Sequence, residues 1–110
     1  MNISRTLNIS SINKKDEIGR VLNSGKKVYT KLGLIFLASD DLDASLKAAF
    51  LIKKNCGSAV KRNYIKRILR HFVRECYKLF KSYNRIIFLY RYKGDVDYSL
   101  LKREFVEALK

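Results

Sequence analysis

The chain has 110 residues, 47% of them apolar, which suits one compact domain over residues 1–110 and excludes intrinsic disorder. Its 24 Lys and Arg against 10 Asp and Glu leave a net charge of +14, a self-repulsion that a polyanionic partner relieves; nucleic acid is the first candidate, and an anionic membrane surface the weaker one. No run approaches the ~20 apolar residues of a membrane helix, and Met1–Ser11 lacks the apolar centre of a secretion signal, so a cytoplasmic protein with no membrane partner is expected.

Residues 1–11 read as polar and irregular. Asn13 is the expected cap of a first helix, on which Ile18, Val21 and Leu22 share a face before Asn23-Ser24-Gly25 stops it. Val28 to Ala38 is apolar and β-prone and reads as one strand, Ser39 to Asp43 as an acidic turn, and Leu46 to Lys53 as a second strand. The two strands are expected to pair as an antiparallel hairpin. Asp40, Asp41 and Asp43 read as a solvated loop rather than a metal site, because no further carboxylate is expected beside them.

Ser58 is the expected cap of a long helix running to about Phe80. Its apolar face is Ile65, Ile68, Leu69, Phe72, Cys76 and Leu79. A turn of about 100° per residue puts Asn63, Arg67, Arg70 and Arg74 in a stripe opposite that face, with Lys66 flanking it. No acidic residue accompanies the stripe until Glu75, so ion pairing along the helix does not account for it and a ligand-binding face does. The helix start, the Gly57 loop before it and the preceding Lys53 and Lys54 combine backbone N–H groups with full positive charge, an arrangement suited to phosphates.

Arg85 to Tyr92 reads as a third strand, and Asp97 as the cap of a last helix whose Tyr98, Leu101, Phe105, Ala108 and Leu109 share a face. The order is thus αββαβα, an α+β chain. Its second strand, long helix and third strand form a βαβ unit if those strands are parallel neighbours. Exposed rings at Phe36, Phe88 or Tyr90 can stack on an unpaired base, while core packing is the competing reading for Phe36 and Phe88.

No protein catalytic centre is apparent. His71 is the single histidine and has no nucleophile near it in sequence; Cys56 and Cys76 have no zinc-ligand spacing and read as free thiols. There is no phosphate loop and no dinucleotide fingerprint.

The run Gly57-Ser58-Ala59-Val60-Lys61-Arg62-Asn63-Tyr64-Ile65-Lys66-Arg67-Ile68-Leu69-Arg70 closely resembles the signature of the bacterial ribonuclease P protein family, Gly-Asn-Ala-Val-x-Arg-Asn-Arg-x-Lys-Arg-x-x-Arg after a strand ending in Lys-Lys. The resemblance implies a two-layer α/β sandwich with a left-handed βαβ crossover. It implies an RNA-binding subunit whose partner, ribonuclease P RNA, carries the active site and uses magnesium to remove the 5′ leader of precursor tRNA. No protein partner is required. Carried over by position, Arg62, Asn63, Lys66, Arg67 and Arg70 match the RNA-contacting motif and Lys53 and Lys54 the basic strand end; Lys61 and Arg74 complete the candidate RNA-binding set. Ile18, Leu22, Phe36, Phe88 and Tyr90 are the candidate lining of a leader-binding cleft. Departures from the pattern are Tyr64 for the third Arg, Ser58 for Asn, His71 where Glu is frequent, and aliphatic Ile18 and Leu22 where many members have Phe. A small basic ribosomal protein, or another RNA-binding structural protein, is the alternative reading.

Overall fold

The computed structural model describes residues 9–80 and 83–110; Met1–Asn8, most of the segment read as irregular and free of a secretion signal, lies outside the described residues. The elements in chain order are β1 (Ser10–Ser11), α1 (Lys15–Ser24), β2 (Lys26–Thr30), β3 (Gly33–Ala38), β4 (Lys47–Ile52), α2 (Ala59–Cys76), β5 (Arg85–Tyr90) and α3 (Tyr98–Leu109). Short 3-10 turns follow β4 and α2 at Lys54–Cys56 and Tyr77–Phe80.

The strands form one sheet in the order β1-β4-β5-β3-β2. β4 pairs in parallel with both β1 and β5, whereas β3 is antiparallel to β5 and to β2. The βαβ unit β4–α2–β5 therefore exists, with its strands as direct neighbours.

The structure corrects four local expectations. Ser10–Ser11 is a short edge strand rather than irregular chain. The expected long strand from Val28 is two strands, folded at Lys31-Leu32. Thr30 closes that turn: its Oγ1 donates to the Gly33 carbonyl (2.8 Å) and accepts from the N–H groups of Leu32 (3.1 Å) and Gly33 (3.0 Å). Gly33 sits at φ +148°, and a Cβ there would fall 2.0 Å from the Leu89 carbonyl oxygen, so both backbone and space require glycine. Leu32 at the tip is fully buried, which is why the turn has the composition of a strand.

The expected hairpin between the run Val28 to Ala38 and the run Leu46 to Lys53 does not form, because β5 lies between β3 and β4. The connecting loop instead arches over the start of β5. Asn84 Nδ2 donates to the carbonyls of Asp40 and Asp43 (both 3.0 Å), and its Oδ1 accepts from Asp40 N–H (2.8 Å). Finally, the residue before α1 is Lys14, which makes no side-chain cap; Asp16 and Glu17 in the first turn supply the negative charge that favours this helix end. The other two expected caps form: Ser58 Oγ accepts from Lys61 N–H (3.2 Å), and Asp97 Oδ1 from Leu100 N–H (2.8 Å).

Strand alternation divides the sheet into two apolar faces. Ile35, Leu37, Ala48, Ile86, Phe88 and Tyr90 face α2 and α3, where they meet Ile65, Leu69, Phe72, Leu101 and Phe105 in the main core. Phe88 is at its centre, 5.6 Å from the Phe50 ring and 5.4 Å from Phe105. Phe36, Ala49 and Ile87 face the other way and pack under α1 with Ile12 and Val21. The fold is thus an α/β sandwich with α1 laid on part of the sheet's second face.

Phe88→Ala is expected to destabilise the fold by about 3–5 kcal/mol in urea unfolding. Asp43 is held below the usual carboxylate range, first by the Ser45 hydroxyl, then by the Ser45 N–H, with Lys47 adding to it. A lowered carboxylate stabilises the fold above its unfolded value of about 4 and loses that contribution as pH falls toward the folded value. The stability difference between the wild type and Asp43→Asn is therefore expected to be full at neutral pH and to shrink below about pH 4.

Candidate nucleic-acid interface

α2 carries the stripe as the helical periodicity requires. Its core side holds Ile65, Ile68, Leu69, Phe72 and Val73, all buried. On the outer side Asn63, Arg67, Arg70 and Arg74 are exposed and Lys66 is half-buried. The guanidinium of Arg70 lies 5.6 Å from the Phe50 ring centroid and that of Arg67 lies 5.4 Å from the Tyr64 ring. These contacts aim the arginines without neutralising them. The acidic residue at the end of the stripe is occupied elsewhere. Glu75 pairs closely with Lys102 of α3 and with His71 Nε2 at 3.3 Å. Lys102 is the main reason its carboxyl is held below the ordinary range.

Two hollows flank the stripe. One, about 420 Å³, lies between the end of β4 and the start of α2 and is lined by Phe50, Leu51, Ile52, Arg62, Asn63 and Lys66. Arg62 is half-buried there, and its Nε has no protein partner. The other, about 670 Å³, is lined by Arg67, Ile68, Arg70, His71, Arg74 and Tyr98. Lys53 and Lys54 are exposed at the end of β4 beside the α2 N-terminus. The structure thus sets Arg62, Asn63, Lys66, Arg67, Arg70 and Arg74 along α2 in adjoining hollows, with Lys53 and Lys54 exposed between the end of β4 and the helix start.

Lys61 departs from this set. Its ammonium donates to the carbonyls of Lys93 (3.2 Å) and Gly94 (3.3 Å), tying the first turn of α2 to the loop before α3. It serves as a brace rather than a free cation. His71 is likewise committed, paired with Glu75 and packed 4.4 Å from the Tyr98 ring.

The expected cleft is rearranged by the parity of the strands. Ile18 and Leu22 are half-buried on α1 against the second face of the sheet. Phe36 shares that face but is only 5% exposed, a floor under α1 rather than an open ring. Phe88 and Tyr90, each 1% exposed, point into the main core on the opposite face and are removed from the cleft.

The open part of the second face is a row that the sequence analysis missed. Tyr29, Leu34, Leu89 and Leu51 are directly opposed in register across β2, β3, β5 and β4. Directly opposed residues share a face. The three leucines are half-buried and Tyr29 is 71% exposed. The signal was available only through register, since β3, β4 and β5 carry apolar residues on both sides.

Among the described residues, no group of three or more His, Cys, Asp or Glu is placed to hold a metal ion. Cys56 is buried and Cys76 half-buried, both as free thiols.

The Ribonuclease P family model matches residues 8–110. The chain belongs to the ribonuclease P protein family. It is 31% identical to the ribonuclease P protein component of Natranaerobius thermophilus over 108 residues, covering 93% of this chain and 89% of the relative. It is 33% identical to that of Syntrophus aciditrophicus over 78 residues, covering 71% and 65%. The fold matches the RNase P protein of Staphylococcus aureus with a TM-score of 0.79 at 20% identity, over 90% of this chain and 91% of that one. It matches the RNase P protein of Thermotoga maritima with a TM-score of 0.76 at 17% identity, over 91% and 94%. Within this ribonuclease P protein, the signature run coincides with the start of α2.

Lys61→Met is expected to lower stability by about 1 kcal/mol, because two carbonyls lose a charged donor at a partly exposed site. The salt dependence of RNA binding should stay unchanged in this variant. A flattened dependence would return Lys61 to the binding surface.

Proposed function

We propose that this ribonuclease P protein binds the RNA subunit through the α2 stripe and holds the 5′ leader of precursor tRNA on the second face of the sheet. The observation that carries the reading is the unneutralised surface from Lys53 and Lys54 through Arg62 and Lys66 to Arg67, Arg70 and Arg74. Phosphates meeting it release condensed counterions, a favourable and sequence-independent contribution. The planar guanidiniums add paired hydrogen bonds to phosphate oxygens.

The leader lies against the Tyr29-Leu34-Leu89-Leu51 row beside α1. Tyr29 provides a ring on which a base can stack, and the leucines provide apolar contact that tolerates any base.

The cleavage chemistry belongs to the RNA in this reading. The single histidine is held by Glu75 and Tyr98. Magnesium is the implied cofactor, but the described side chains do not fit a magnesium site, and no step is assigned to a protein-bound ion. The chain lowers the repulsion between the phosphates of RNA subunit and substrate, so less magnesium is required to bring them together. No described helix is long and apolar enough to cross a membrane. The cytoplasm, where precursor tRNA is met, is the compartment that fits this function, and no protein partner is needed for it.

The test is cleavage of precursor tRNA by a bacterial ribonuclease P RNA at low magnesium. Cleavage is expected with the protein at magnesium concentrations where the RNA alone is inactive, and no cleavage by the protein alone. Robust cleavage by the protein without RNA would overturn the reading. The logarithm of RNA affinity should fall linearly with that of salt, with a slope of roughly −0.7 to −0.9 per phosphate and about four to eight phosphates. Arg70→Ala should flatten that slope by about one. Tyr29→Ala should weaken binding of precursor tRNA more than that of mature tRNA, which has no leader.

A further inference from the structure

The N-terminal end of the α2 stripe differs from the rest of it. Tyr64 stands where the family signature has its third arginine. Val60, one turn earlier, is 80% exposed. Arg67, one turn later, lies with its guanidinium 5.4 Å from the Tyr64 ring centroid. With Ser58, Lys61 and Asn63 these side chains line an open hollow of about 760 Å³. The Lys61 ammonium is tied to the carbonyls of Lys93 and Gly94, and Arg67 supplies the guanidinium of the hollow. Tyr64 is half-buried and packs on the main core, so its ring is held in place.

We propose that Tyr64, with Arg67 and Val60, is a stacking site for an unpaired nucleobase of the RNA that the stripe binds. The inference rests on the RNA-binding function proposed above and adds a contact of a different kind to it. Lys61 and Arg67 carry the charge of this lining, whereas Tyr64 and Val60, a phenol and an exposed isopropyl group, offer a phosphate none. A nucleobase is well served. Its π-face can lie on the planar guanidinium of Arg67, which itself sits over the phenol ring as a cation–π layer, and its edge meets Val60. The surrounding charge draws in a polyanion, which selects an RNA base over an apolar protein segment as the occupant. Where the signature has a charged arginine, this chain offers an aromatic ring.

The experiment measures affinity for ribonuclease P RNA across a range of salt for the wild type, Tyr64→Phe, Tyr64→Leu, Tyr64→Arg and Val60→Ser. Tyr64→Phe keeps the ring and should bind within about twofold of the wild type. Tyr64→Leu fills the space against the core but cannot stack, and should lose about five- to a hundredfold at every salt concentration with the slope unchanged. Tyr64→Arg should steepen the slope by about 0.7–0.9, since it adds a phosphate contact. Val60→Ser changes a side chain that scarcely touches the fold and should also weaken binding without altering the slope. It keeps the test decisive if Tyr64→Leu unfolds. Wild-type affinity in both Tyr64→Leu and Val60→Ser, or a loss that vanishes at high salt, would overturn the proposal. Arg70→Ala serves as the control for the wider reading. If it weakens binding while these two variants do not, only the stacking site falls; if Arg70→Ala is also silent, the stripe itself is not the RNA surface.

Discussion

Arg85 opens the central strand and is only 2% exposed, so its charge must be answered inside the protein. Its Nε donates to Glu17 of α1 at 2.7 Å, and its Nη2 lies 3.4 Å from Asp40 and 3.1 Å from Asp43. Nη1 donates to the carbonyls of Ser45 (2.6 Å) and Asn84 (2.9 Å). One guanidinium therefore joins α1, the β3–β4 loop and the first residue of β5. Removing one side of such a buried pairing typically costs about 3–5 kcal/mol, because the partner charge is stranded. The geometric consequence is larger than the energetic one. With the loop drawn over the start of β5, β3 and β4 are held apart and β5 fills the gap, parallel to β4.

That placement creates the functional layout. A parallel β4–β5 pair requires a crossover, and α2 is that crossover. The cationic helix start is therefore delivered to the end of β4, beside Lys53 and Lys54. The same clasp fixes α1 through Glu17 at one end of the sheet's second face. The Leu34, Leu89 and Leu51 row is left partly uncovered at the other. The aspartates that resemble a metal site in isolation are thus structural anions.

The helices were legible because their signals are local. Ser58 and Asp97 cap as their side chains suggest, and the stripe from Asn63 to Arg74 follows from the helical repeat alone. α1 was found, but its start was misplaced by a residue, because charge at Asp16 and Glu17 does the work assigned to an Asn13 cap. Of the strand pairings, the parallel β4–β5 pair was legible only as a condition of the βαβ unit, and the antiparallel hairpin was wrong. Neighbours in sequence are the default partners, and the guanidinium that overrides the default lies far along the chain. The cleft suffered from the same gap. In β3 and β5 both faces are apolar, so no alternation tells Phe36 from Phe88, and a shift of one position reverses the face. Register was needed to see that Phe88 and Tyr90 belong to the core and that Tyr29 and the leucines belong outside. Lys61 shows a related gap: a motif gives a side chain's position but not the carbonyls waiting for it from the loop before α3.

The clasp has one more effect. Asp16, Glu17, Asp40, Asp41 and Asp43 are half of the chain's ten carboxylate side chains. Through α1 and the β3–β4 loop they gather at the end of the sheet where β4 and β5 begin, while Lys53, Lys54 and the α2 start sit at the end where β4 stops. Arg85 and Lys47 answer these carboxylates at that end, so the net positive charge lies off-centre, toward the signature loop. In the field of a folded RNA a net charge produces attraction, and an off-centre charge also produces torque. On the proposed function, the protein arrives already turned, with its signature loop leading. The orientational search that slows the docking of two specific patches is shortened before the first contact is made.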